Sequence, residues 1–289
     1  MIKKTAFAKL DLAIHINPNK LSDGYHPVDY IVSQINLSDE LLIEQKENNI
    51  EIICDQPNVP KNKENFIYLA AQLLKEMAQN RDLGAKIILN KNIPIKAGFG
   101  GGSSDAAAVT SGLSKLWNIN LDEKQLADLA TVLGKDFYYS LHGGLSEVQG
   151  RGKDYKVIPL SSKLPNFWLL VIVPFEEKPS TGWVYEHLYK KKLGKNSSKF
   201  EKLKLAIQQK NKEAFLDNLF NDFEDSVILH FPIVKKIKHD LKEAGALQTL
   251  MAGAGLSVVG FFSTQKEAES TKQKLKNKYK QVIITKPIN

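Results

Sequence analysis

A chain of 289 residues is longer than the usual single-domain mode, and a hydrophobic content of 43% is enough for real cores, so two folded domains are expected and disorder is excluded. The net charge of +8 comes from 40 Lys and Arg against 32 Asp and Glu, yet residues 190–212 hold nine lysines and one acid, Glu201, and so carry the whole excess. With arginine only at Arg81 and Arg151, and no aromatic residues alternating with those lysines as a stacking platform, the segment reads as a solvated face and nucleic acid is not expected as a partner. The single cysteine, Cys54, excludes an intrachain disulfide and a cysteine-based metal cluster. Lys9 and Asp11 interrupt the apolar run that a signal peptide needs, and the longest apolar stretch, residues 167–173, is too short to cross a bilayer. A cytoplasmic protein with no membrane partner is expected.

Residues 5–16 alternate apolar and polar positions, as a strand with one buried face does. Asp23-Gly24 marks a turn, and residues 28–45 continue as β structure. After Asn65, residues Phe66, Leu69, Ala70, Leu73, Leu74 and Met77 fall at helical spacing and predict one apolar face. Residues 86–90 form a strand that leads through Pro94 into a glycine-rich loop, from which Ser103 opens a helix to about Trp117. A further helix is predicted from Leu121 to Leu133, with Asn120 and Glu123 as a capping box and Gly134 as the stop. The segment 159–165 (PLSSKLP) divides residues 1–160 from 161–289. Beyond it come a strand at 167–173, helices near 183–192, 200–219 and 232–244, strands at 247–251 and 256–262, a helix at 265–278 and a strand at 281–285. Strand, helix, strand, strand, helix, strand is the ferredoxin-like order, here with extra helices.

The loop itself, Pro94-Ile95-Lys96-Ala97-Gly98-Phe99-Gly100-Gly101-Gly102-Ser103-Ser104, is the most informative stretch. Glycines keep Cβ atoms out of the way, so successive N–H groups can converge on one anion, and the first N–H groups of the following helix lack intrahelical partners. Such a terminus is suited to phosphate. It is neither a Walker A loop, because Ser103-Ser104 follow where Lys-Ser or Lys-Thr belongs, nor the G-x-G-x-x-G dinucleotide pattern, because Ser103 stands in the third glycine's place. A turn without a ligand is the alternative.

Together with Ala8-Lys9-Leu10-Asp11-Leu12, Asp23-Gly24-Tyr25-His26 and Leu250-Met251-Ala252-Gly253-Ala254-Gly255, the loop resembles the GHMP kinases, small-molecule kinases with a glycine-serine phosphate loop. The likeness spans nearly the whole chain, and the Asp-Gly-Tyr-His tetrad resembles the branch that phosphorylates the 2-hydroxyl of a cytidine-diphosphate alcohol in non-mevalonate isoprenoid synthesis. The resemblance implies an α+β, two-domain GHMP kinase fold: an N-terminal, ribosomal-protein-like α/β domain at 1–160 that binds nucleotide, and a C-terminal ferredoxin-like substrate domain at 161–289. It implies ATP with Mg²⁺, a small cytidine-diphosphate substrate, and a monomer or weak homodimer.

Position by position, the resemblance makes Lys9 and Asp136 the catalytic pair. Asp136 would take the acceptor's proton and Lys9 would stabilise developing charge. It places Asn65 and Lys91 near adenine, and Pro94, Ala97, Gly98, Phe99, Gly100, Gly101, Gly102, Ser103 and Ser104 around ATP, with the Ser104 hydroxyl as a magnesium contact and no dedicated metal cluster. Substrate would meet Asp11, Tyr25, His26, Thr181 and Tyr185, the aromatic rings stacking on the base. By themselves, Lys9 reads more often as a surface lysine and Asp136 as a turn residue, and Tyr185 reads nearly as often as a core aromatic. The chain departs from the family at Asp11, where asparagine is usual, at Ala252 and Ala254, where hydroxyl residues are common, at Lys96, where a small neutral residue is usual, and at Asp136-Phe137-Tyr138, where Asp-Val-Pro is familiar. Those departures keep two alternatives open: another GHMP activity of mevalonate or homoserine type, and a catalytically weak nucleotide-binding paralogue.

Overall fold

The computed structural model describes residues 1–22, 24–150 and 154–288. The turn expected at Asp23-Gly24 therefore lies partly outside the described residues, although Gly24 N–H donates to the Leu21 carbonyl as a turn requires.

The first half builds β1 (Ile2–Ile16), β2 (Val28–Glu47), β3 (Ile50–Cys54), α1 (Phe66–Met77), β4 (Leu83–Asn90), α2 (Gly101–Leu116), α3 (Glu123–Leu133), α4 (Lys135–His142), β5 (Ser146–Gln149) and β6 (Lys156–Pro159). Its sheet runs β3-β4-β2-β1, with β5 and β6 hairpinned onto β2. The second half contributes β7 (Trp168–Val173), α5 (Thr181–Glu186), α6 (Ser197–Gln208), α7 (Lys212–Asp217), β8 (Phe220–Asn221), α8 (Glu224–His230), α9 (Ile233–Glu243), β9 (Gln248–Met251), β10 (Val258–Phe262), α10 (Gln265–Leu275) and β11 (Gln281–Thr285). Its four-stranded sheet has the order β11-β7-β10-β9 with every pairing antiparallel, which is the ferredoxin-like arrangement expected. One strand crosses over: β8 pairs parallel with β1 through Ala13 and Ile14.

Apolar burial welds the two sheets. A single cluster contains Leu10 and Ile31 of the first sheet, Phe99 of the glycine loop, and Leu169, Val171, Val259 and Phe261 of the second sheet. Phe167 meets Phe261 edge-on at 5.6 Å within it. The glycine loop is therefore packed from below by a shared core rather than suspended between elements.

Several predicted elements differ in detail. Helix α2 begins at Gly101, two residues before Ser103, because Gly100 is its N-cap. The capping box of α3 is Asp122 with Gln125, not Asn120 with Glu123. Helix α4 follows immediately on the Gly134 stop. The expected helix at 200–219 is two helices, broken where Lys210 takes a φ of 54°, and the helix expected at 183–192 ends at Glu186. In α1 the buried face is Ile67, Ala70, Ala71 and Leu74, which leaves Phe66 exposed.

Candidate active site

The site starts from two irregularities in β1. Its pairing with β2 shifts register between Phe7 and Lys9 and again between Asp11 and Ala13. Such bulges re-aim side chains, and the short segment between them carries Lys9 and Asp11 on one face. The Lys9 N–H donates to the Phe99 carbonyl at 3.0 Å, which ties the strand to the glycine loop. Helix α4 brings up Asp136 in its first turn, where the helix dipole favours a carboxylate.

The three side chains meet. The Lys9 ammonium bonds Asp11 and lies 3.5 Å from Asp136 Oδ2. Lys9 and Asp11 are buried, whereas the Asp136 side chain keeps 34% exposure. Burial works against the Lys9 charge, but the carboxylates of Asp11 and Asp136 outweigh it and hold the amine above the ordinary lysine range. Burial pushes the Asp11 carboxyl up to about 6 despite the attraction of Lys9. Tyr30 donates its hydroxyl to Asp136 Oδ1 at 3.0 Å, and the Lys135 ammonium sits 4.7 Å from the Tyr30 ring centroid. Burial pulls the Lys135 amine down to about 8. Neither Tyr30 nor Lys135 follows from sequence spacing; an aromatic in a strand and a lysine at a helix start carry no distinguishing signal.

Gly100 joins this pair to the phosphate loop. It has φ of 66°, and a Cβ there would stand 2.9 Å from Lys9 Cγ and 3.7 Å from Asp136 Oδ2. Only glycine fits between loop and pair. Gly98, with φ of 94°, is equally confined, since a Cβ would fall 2.0 Å from the Ala252 carbonyl oxygen. The Ala252–Gly255 segment thus braces the phosphate loop through its backbone, for which the alanines at Ala252 and Ala254 suffice. Helix α2 has no acidic residue in its first turn and no side-chain cap, so its leading N–H groups are available to an anion.

A cleft of about 700 Å³ lies over this assembly. Lys9, Asn65, Lys91, Pro94, Ala97, Gly98, Phe99, Gly100, Gly101, Gly102, Ser103, Asp136 and Thr181 all line it, joined by Phe66 of α1 and Gly255. Asn65 is also the N-cap of α1, accepting from Ile67 N–H. Lys91 is bonded by Asp39 at 2.5 Å and Asp105 at 2.6 Å beneath Gly101.

Other expected residues stand elsewhere. Ser104 is buried outside the cleft lining and donates its hydroxyl to the Phe7 carbonyl at 2.8 Å, so the expected magnesium contact through that hydroxyl is not met. Asp11 holds Lys9 from behind instead of facing the cleft. Tyr25 is exposed, and the His26 ring is 2.7 Å from the Asn17 carbonyl. Tyr185 packs edge-on against Phe223 at 5.0 Å; burial, with the Asp136 charge adding, lifts its hydroxyl above the ordinary tyrosine range. None of these three rings lines the cleft. Among the described residues no three His, Cys, Asp or Glu side chains gather as a cation site. Asp105 Oδ1, buried without a partner in a residue that lines the cleft, is an oxygen suited to magnesium arriving with a nucleotide. No helix of the described residues is long and apolar enough to cross a membrane.

Known proteins resemble this chain over nearly its whole length. The family model described as GHMP kinases N terminal domain matches residues 65–148, and that described as GHMP kinases C terminal matches residues 203–281. The chain is 36% identical over 292 aligned residues to a 4-diphosphocytidyl-2-C-methyl-D-erythritol kinase of Acetivibrio thermocellus, covering 99% of each. It is 35% identical to the protein of that name from Caldicellulosiruptor bescii, covering 98% of this chain and 97% of the other. A crystal structure of 4-(cytidine 5'-diphospho)-2C-methyl-D-erythritol kinase superposes with a TM-score of 0.79 at 26% identity, covering all of both chains.

Proposed function

This chain belongs to the GHMP kinase family, and we propose that it transfers the terminal phosphoryl group of ATP to the 2-hydroxyl of 4-diphosphocytidyl-2-C-methyl-D-erythritol. The carrying observation is the position of the Lys9–Asp136 pair against Gly100, at the open N-terminus of α2 and on the wall of one cleft. The triphosphate would lie on the backbone N–H groups of Gly100 to Ser103, and the acceptor alcohol would approach from the side of Asp136 and Thr181.

In the transfer, the acceptor oxygen forms a bond to the γ-phosphorus while the bond from that phosphorus to the β–γ bridging oxygen breaks, releasing ADP. Asp136, held by the Tyr30 hydroxyl, receives the alcohol's proton. Lys9, fixed by Asp11, offers its ammonium to the negative charge that gathers on the transferring group. The Asp105 carboxylate would hold magnesium arriving with the nucleotide, which would supply neutralisation of the phosphate charge. Residues 1–160 would supply the nucleotide side and residues 161–289 the substrate side, with Tyr25, His26 and Tyr185, outside the cleft lining, as the candidate cytidine contacts.

A thermal-shift comparison of CDP, mevalonate and homoserine, each with a non-hydrolysable ATP analogue, tests the acceptor. A ligand that binds only the folded state raises the midpoint once its concentration exceeds Kd. CDP is expected to raise it and the other two are not; a response to mevalonate or homoserine alone would reject the cytidine assignment.

A further inference from the structure

The cleft has two cations on its rim that the transfer chemistry does not use. Lys96 sits on the strap that leads into the glycine loop, and Lys178 sits on the loop between β7 and α5. Both line the main cleft, and both line the small gap beside it. They belong to different sheets' loops, so the cleft runs between them.

Their surroundings compensate the charges only in part, since the exposed Glu177 carboxylate feels the Lys96 charge but pairs with Lys280. Lys178 is half-buried and its ammonium donates to the Thr181 hydroxyl at 3.2 Å, a neutral partner. Burial lowers the Lys178 amine below the ordinary lysine range, and the positive charge of Lys96 lowers it further, so the two ammonium groups are within electrostatic reach of each other. Among the described residues neither forms an ion pair, while the adjacent carboxylate of Glu177 is taken by Lys280 at 3.0 Å. Lys96 also holds a φ of 56°, a left-handed backbone that side chains other than asparagine and glycine rarely adopt. Strain of this kind is retained where the surrounding structure needs the residue in place.

Two like charges facing one opening with no ion pair of their own are stabilised by an anion between them. Lys96 stands two residues before Gly98, so the anion within its reach is the one held by the glycine-loop N–H groups. We propose that Lys96 and Lys178 form a two-jaw clamp on the phosphate chain of the bound nucleoside triphosphate, one jaw from each wall of the cleft. The clamp rests on the kinase reading above and adds to it a pair of side chains that select triphosphate over monophosphate.

The test is calorimetric titration of the full-length protein with ATP and with AMP, using Lys96→Asn, Lys178→Gln and the double variant. Asparagine tolerates the left-handed backbone and glutamine keeps a donor for Thr181, so unliganded melting temperatures should match the parent. Each single change is expected to weaken ATP binding about tenfold, the usual scale for one charged contact, with AMP affinity unaltered. Jaws that act on one anion should couple, so the double variant should depart from the product of the singles. Parent-like ATP affinity in the double variant, or equal losses for ATP and AMP, overturns the clamp while leaving the kinase reading intact. A parent protein that binds no ATP overturns the kinase reading, and the clamp with it.

Discussion

Two buried lysines, Lys9 and Lys91, are each gripped by two carboxylates, and the difference between the two clusters separates chemistry from scaffolding. Lys91 lies between Asp39 and Asp105, which are 0% and 2% exposed, and Asp39 also accepts the N–H groups of Asn92 and Ile93. That cluster pins β2, the strap and α2 together beneath Gly101. Lys9 lies between Asp11, which is sealed, and Asp136, which opens to the cleft. Asp136, open to the acceptor side, can exchange a proton with it, whereas Asp39 is locked on every side and Asp105 keeps only Oδ1 unpartnered at the cleft. The same residue types thus serve as a brace in one place and as a reactive pair in the other.

The strongest way to sharpen that contrast is Asp136→Ala. Removing a general base costs on the order of 10²–10⁴ in rate, so coupled ADP release should fall by that amount while the denaturation midpoint stays close to the parent's. The mirror image is Lys91→Met, which strands two buried carboxylates. Breaking a buried pair from one side costs about 3–5 kcal/mol, to be read from urea unfolding at constant slope. Lys9→Met should be less damaging to stability, since Asp136 reaches water; equal losses for the two lysines would break the comparison.

A smaller effect is expected from Tyr30→Phe, which leaves Asp136 in place but removes its donor. One hydrogen bond to a charged carboxylate is worth about 1.5–3 kcal/mol, so kcat should drop between about tenfold and a hundredfold with KM for ATP unchanged. The least effect is a pH slope. Asp11 titrates in the folded chain near 6, above its ordinary range near 3.8, because burial disfavours its charge. Between those values the folded state binds more protons than the unfolded one, so its contribution to stability declines as pH rises from about 4 to about 6. Asp11→Asn should flatten that part of the unfolding profile; an unchanged slope would assign it to other groups.

Much of the site was legible because it is local in sequence. The glycine loop and its helix are short patterns with direct backbone consequences, and the ferredoxin-like order followed from alternating periodicities, whereas Lys9 and Asp11 were marked only by the family resemblance. What escaped depends on partners far apart in the chain. Asp39 and Lys91 are 52 positions apart, and Tyr30 and Asp136 are 106 apart, with no spacing rule to connect them. Strand β3 is a short parallel edge strand on β4, announced only by the Asn48-Asn49 turn before it. The break between α6 and α7 rests on Lys210 in a left-handed backbone, which glycine or asparagine would have signalled and lysine does not. Phe66 has the spacing of a core residue and instead faces the cleft, since periodicity cannot tell an apolar core from an apolar ligand pocket.

Phosphorus NMR of the parent protein with ATP and 4-diphosphocytidyl-2-C-methyl-D-erythritol addresses the central assignment most directly. Lys9 and Asp136 facing one cleft predict that ADP and a single new phosphomonoester on the acceptor grow in equal amounts, and that neither grows with Asp136→Ala. ADP formed at the same rate with no acceptor present, or a phosphomonoester formed undiminished by the variant, would contradict it.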